Sequence, residues 1–157
     1  MDIDDLAARF QACALSKTEW THASHLVVGL WHVHEYGPDE ALARLRRGIR
    51  RLNESHGGVN SATDGYHETM TAAYIILLAQ YLEVGPRELT LGEQAALLLV
   101  SPLARRTALS AFYSHDHLMS VTARAQWVEP DVAPLDVAAV LGPFLGEVAS
   151  GLSSSAQ

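Results

Sequence analysis

Cysteine is almost missing from this chain: Cys13 is the only one in 157 residues. A lone thiol cannot close an intramolecular disulfide, and it rules out CxxC and Cys/His finger spacing. Basic residues are in the minority, with 11 Lys and Arg against 18 Asp and Glu and a formal net charge of −7. That balance argues against coating nucleic acid through bulk charge. Long apolar runs are also missing, and none approaches the roughly 20 residues a membrane-spanning helix needs. The opening Met1-Asp2-Ile3-Asp4-Asp5 has neither the basic nor the apolar block of a secretory signal. The cytoplasm is the expected compartment, with no membrane and no nucleic acid among the expected partners. Period-two alternation is absent, as are the P-loop, GxGxxG and GxSxG signatures.

What is present is helical periodicity. Asp4 or Asp5 can cap a first helix carrying Leu6, Phe10 and Cys13. Thr18 precedes a second helix that ends at Gly37-Pro38. Pro38-Asp39-Glu40 opens a third, with the stripe Ala41/Leu42, Leu45, Ile49 and Leu52, and Gly57-Gly58 ends it. Ser61, Thr63 or Asp64 can cap a fourth, reaching about Glu83. Further helices are expected over 92–100, 103–113 and 120–127. A last one over 135–149 is weakened by Gly142-Pro143. The fold class is all-α: a compact single-domain bundle of about six helices over residues 1–150, with a flexible tail at 151–157.

Histidine is abundant, at 8. In the second helix His22 and His25 lie about 60° apart on one face, and Gly29, between them in projection one turn on, is expected to leave room beside them. His32 lies on the same side two turns on. In the fourth helix His67 aligns with Thr71, Tyr74, Leu78 and Tyr81, the stripe that helix buries, and Glu68 lies on its flank. Imidazole is the commonest protein metal ligand, and helical bundles build metal sites from facing helices. Convergence of His22, His25 and His67 would suit a divalent transition metal: Zn, Fe, Mn, Ni or Cu. Glu68 would be general base or fourth ligand, and Glu19, Tyr66 and Thr71 would contact substrate or support the ligands. Two patterns count against familiar metalloenzymes. Glu19-x-x-His22 has no second ExxH to complete a di-metal site, and Thr69-Met70-Thr71 after Glu68 excludes HExxH. The bland reading gives these imidazoles to backbone carbonyls and hydroxyls. His34 and His56 read as surface residues, and His115-Asp116-His117 as a solvated turn.

Five of the ten arginines, Arg44, Arg46, Arg47, Arg50 and Arg51, fall on the third helix. A solvated face paired with acids is the simpler reading, and an anion clamp the functional one.

The segments Trp20-Thr21-His22-Ala23-Ser24-His25-Leu26 and Gly65-Tyr66-His67-Glu68-Thr69 resemble those of a small bacterial family of hypothetical all-α proteins. Tyr113-Ser114, Leu118, Ala123-Arg124, Trp127-Val128 and Pro130-Asp131 are similar to its closing segment. The resemblance covers about residues 10 to 135. It implies that these motifs belong to one site and that Arg124 or Asp131 packs near it, and it carries no reaction.

Three functions are consistent with these residues. One is a mononuclear metal enzyme acting on a small-molecule substrate, as a hydrolase, lyase or oxygenase. Another is a metal-free protein that binds an organic anion or uses its histidines as acid and base. The last is an interaction protein with structural histidines.

Overall fold

The computed structural model describes residues 1–155. The described residues form nine α-helices, two 3₁₀ turns and no strand. The long elements are α1 (Ile3–Gln11), α2 (His22–Tyr36), α3 (Pro38–Ser55), α4 (Glu68–Val84) and α5 (Leu91–Val100). After 3₁₀ turns at Pro102–Ala104 and Ala108–Ala111 come α6 (His115–Leu118), α7 (Val121–Ala125), α8 (Val137–Leu141) and α9 (Phe144–Ser155). The all-α reading holds, with six helices of substantial length and three short ones.

α2 is the central element and packs against α1, α3, α4 and α5, while α4 also meets α3, α7 and α8. Both central helices are apolar around most of their circumference, as buried helices are. Leu26, Val27, Val28 and Leu30 of α2 and Ala73, Leu77, Leu78 and Tyr81 of α4 are buried in one hydrophobic cluster. α3 is amphipathic: it buries Ala41, Leu45 and Leu52, and turns its arginines away from that stripe.

The caps differ from the expected ones. Asp2, not Asp4 or Asp5, caps α1 by accepting from the Asp4 and Asp5 N–H groups. α2 begins at His22 because the Thr21 hydroxyl accepts from the Ser24 N–H, which leaves Glu19 and Trp20 ahead of the helix. α4 begins at Glu68 with His67 itself as cap; Ser61 instead closes the preceding turn by accepting from Thr63 and Asp64. The single helix expected over 103–113 is two 3₁₀ turns separated by extended Arg105. The helix expected over 135–149 is broken at Gly142-Pro143 into α8 and α9. The His115-Asp116-His117 turn is the short helix α6. α9 continues through Ser155, so residues 151–155 are helical; 156 and 157 lie outside the described residues. No helix among the described residues is long and apolar enough to cross a membrane.

Candidate functional site

The start of α2, the second half of α3, the first half of α4 and the 56–66 loop enclose a cleft of about 680 Å³. Its apolar wall is Leu26, Leu45, Ile49, Met70, Ile75 and Leu78. Its polar wall carries His22, His25, His56, His67, Thr71 and Tyr74, with the cations Lys17 and Arg106 and one acid, Asp64. All three histidines expected to converge therefore line one cleft. They differ in what their ring nitrogens do.

His22 Nε2 donates to the Ala104 carbonyl at 3.0 Å. His25 Nδ1 donates to the Thr21 carbonyl at 2.7 Å, and its ring lies over Trp20 with centroids 3.7 Å apart. A carbonyl partner fixes the tautomer: the bonded nitrogen carries hydrogen and the other holds a lone pair. His22 Nδ1 and His25 Nε2 are those lone pairs, and neither has a hydrogen-bond partner among the described residues. Desolvation lowers both pKa values, and the neighbouring Arg106 guanidinium lowers them further. His22 also opposes protonation of His25, which places the two rings within electrostatic reach. Part of the His25 side chain is open to solvent, and the protein encloses the rest.

His67 is spent on structure. Its Nδ1 accepts from the Met70 N–H at 3.1 Å, and its Nε2 donates to the Leu118 carbonyl at 2.8 Å. The ring is buried, and desolvation lowers its pKa. With both nitrogens engaged it offers no lone pair to a third party. Among the described residues no group of three or more His, Cys, Asp and Glu side chains is placed to hold a metal ion.

Glu68 is likewise committed. It accepts two hydrogen bonds from Arg46 Nε, at 3.0 and 3.1 Å, another from Arg46 Nη2, and one from the Tyr66 hydroxyl at 2.5 Å. Burial would raise its pKa, but the Arg46 and Tyr66 contacts prevail and lower it. Burial, with Glu68 alongside, raises the Tyr66 pKa. Glu19 pairs with Arg9 at 2.6 Å and accepts from the Ser16 N–H at 2.8 Å. The Ser16 bond, then Arg9, hold its pKa down at about 2. It does not line the cleft; it ties α1 to the segment ahead of α2.

Thr71 lines the cleft and donates to the His67 carbonyl at 2.8 Å. Arg124 Nη1 donates to the Gly65 carbonyl at 2.7 Å, supporting the loop edge of the cleft from α7. Asp131 instead accepts from the Ser114 N–H and hydroxyl at 2.8 and 2.5 Å. Gly65 has φ +79°, and a Cβ there would stand 2.7 Å from the Val59 carbonyl oxygen, so this turn requires glycine. The space expected beside Gly29 is taken by Leu78, whose Cδ1 would lie 2.9 Å from a Cβ at that position.

Sequence reasoning missed Lys17 and Arg106, which sit in irregular segments where no periodicity points inward. It also placed His56 on the surface, whereas His56 Nε2 donates to the Leu15 carbonyl at 2.8 Å and lines the cleft. His32, expected on the side of His22, lines a separate pocket. No protein-family model, curated protein or solved structure matches the chain.

Proposed function

We propose that the protein binds a small organic anion with an apolar body in this cleft, and that His22 and His25 act on it as neutral acceptors and bases. The observation that carries the reading is the company these two lone pairs keep. Each belongs to an imidazole held neutral, and Lys17 and Arg106 line the same cleft with no ion-pair partner among the described residues. A carboxylate at Arg106 and Lys17 would leave the body of the ligand against Leu45, Ile49, Ile75 and Leu78. Its hydroxyl or amine could then donate to His22 or His25, and a neutral imidazole so placed can take that proton. The volume falls in the usual range for small-ligand pockets, ~300–1,000 Å³.

The test is a thermal-shift and calorimetry panel of aliphatic, aromatic and hydroxy carboxylates in the presence of chelator. A ligand in this class raises the melting temperature, and Arg106→Gln weakens its binding by about tenfold, as expected for a lost charge-assisted bond. If no carboxylate stabilises the protein, the reading is wrong. A metal enzyme is the second reading, favoured by the same two free nitrogens, His22 Nδ1 and His25 Nε2, with solvent or substrate completing the coordination. It requires that Zn, Fe, Mn, Ni or Cu bind stoichiometrically to the wild type and not to the His22→Ala, His25→Ala double variant.

A further inference from the structure

A second pocket, of about 360 Å³, opens between α1, α2 and α3 and shares no lining residue with the cleft. Phe10, His32 and Gly48 form part of its wall, and Arg44, Arg47 and Arg51 complete a cationic rim. We propose that it binds the singly protonated phosphate group of a small phosphorylated molecule.

Charge is the first argument. The three arginines are spaced i, i+3 and i+7 along one face of α3, and like charges at such spacing destabilise a helix. Only Arg44 has an acidic partner, Glu40 at 3.0 Å; Arg47 and Arg51 have none among the described residues. Among the described residues no acidic side chain lines the pocket. A chain of net charge −7 thus concentrates cations at one dent in its surface. Guanidinium groups recognise phosphate through paired, charge-assisted hydrogen bonds.

Shape is the second. Gly48 lets the Phe10 ring lie directly on α3, since a Cβ there would meet Phe10 Cζ at 2.5 Å. Phe10 fills the space over Gly48 and so forms the apolar wall of the pocket beside the arginines.

His32 is the third, and it selects the anion. Its side chain is 1% exposed and is flanked by Phe10, Trp31 and Tyr36, with ring centroids 5.1–5.8 Å away. Its Nδ1 donates to the Val28 carbonyl at 2.7 Å, so Nε2 holds a lone pair, unpartnered among the described residues. This acceptor takes a P–OH proton while the guanidiniums take the anionic oxygens. Sulfate and ionised carboxylates have no such proton to give. Phosphate monoesters, whose second pKa is near 6, carry one on part of the population at neutral pH.

Calorimetry on the whole protein near neutral pH tests this with inorganic phosphate and glycerol phosphate, against sulfate and chloride at matched ionic strength. The expected result is saturable binding of at least one of the two phosphates, one per chain, about tenfold tighter than sulfate. Binding of glycerol phosphate alone supports the proposal and identifies an ester as the source; binding of inorganic phosphate as tightly identifies the free ion. Arg47→Gln and Arg51→Gln, both at exposed positions, each weaken binding about tenfold, whereas Arg105→Gln outside the pocket does not. The His32 ring nitrogen resonances move on saturation. The proposal is overturned if neither phosphate saturates, if sulfate binds equally well, or if the Arg47 and Arg51 variants bind as the wild type does.

Discussion

His67 serves the backbone with both faces of its ring. Nδ1 closes the first turn of α4, and Nε2 ties that turn to α6, 51 residues on. Losing a side-chain cap costs ~1 kcal/mol, and stranding a buried carbonyl costs ~1–3 kcal/mol. His67→Ala is therefore expected to lower unfolding stability by roughly 2–4 kcal/mol in a denaturant titration. His67→Asn, which can still cap, recovers about 1 kcal/mol of that. Equal losses in the two variants would mean that the cap contributes nothing. His67 is buried, as its place on the α4 stripe suggested, but for another reason: it is the extended cap ahead of α4 and not part of the helix from which the projection was drawn. The sequence did not show that both nitrogens would be taken, because one partner belongs to a distant segment with no periodic link to α4. The same holds for His22, whose carbonyl partner Ala104 is 82 residues away.

At the scale of elements, α3 shows how charge and packing share one helix. Its buried stripe was legible from spacing alone, and so were its ends at Gly37-Pro38 and Gly57-Gly58. The partners of its arginines were not. Arg46 reaches α4 to hold Glu68, Arg50 lies over the Tyr66 ring at 5.4 Å, and Arg44 lies over Tyr36 at 3.9 Å. The Glu68 side chain is only 13% exposed, so neutralising it removes a charge-assisted contact from a sheltered site. Glu68→Gln should cost roughly 1–3 kcal/mol in a denaturant titration, with no change in carboxylate binding at the cleft, which Glu68 does not line. Full loss of carboxylate binding in a folded Glu68→Gln protein would return that residue to the site. Gly48→Ala tests the α1–α3 contact. Alanine favours a helix over glycine by up to ~1 kcal/mol, but its methyl collides with Phe10. Phe10 is held by its stacking on Trp20 at 5.2 Å and its edge-on contact with His32 at 5.5 Å, which a shift would disrupt. Overpacking prevails, and a net loss of about 1–2 kcal/mol is expected. Segment 103–113 was not legible as two 3₁₀ turns. Its buried residues, Leu103, Ala108, Leu109, Phe112 and Tyr113, fit no single helical face, and the exposed pair Arg105-Arg106 interrupts them.

For the whole molecule, the histidines set how stability responds to acid. Desolvation lowers the pKa of His22, His25, His32 and His67 below the ordinary value of 6.5, that of His25 to about 4. The unfolded chain therefore binds more protons than the native one wherever pH lies between the native and unfolded values. Above 6.5 all four rings are neutral in both states and their contribution is complete; as pH falls through the window it is lost. Carboxylates such as Glu19, unperturbed at 4.5 and held at about 2 in the fold, give up their contribution only at lower pH. A second effect runs the other way. A chain of net charge −7 repels itself less as acid neutralises it, which favours the compact state. Surface charges are screened by salt, whereas His32 and His67 are buried and fixed by hydrogen bonds, so the histidines should prevail at physiological ionic strength. Stability measured by thermal and urea unfolding should be level above about pH 7 and fall between about pH 6.5 and pH 5. Raising salt should steepen that fall by removing the opposing charge effect. Stability that stays constant or rises as pH drops through this window even at high salt, where the opposing charge effect is screened, would mean that the four rings protonate in the fold as readily as in the unfolded chain. The fold would then not hold His22, His25 and His32 neutral at mildly acid pH, and anion binding through these acceptors at both proposed sites would weaken there as it does for ordinary imidazoles.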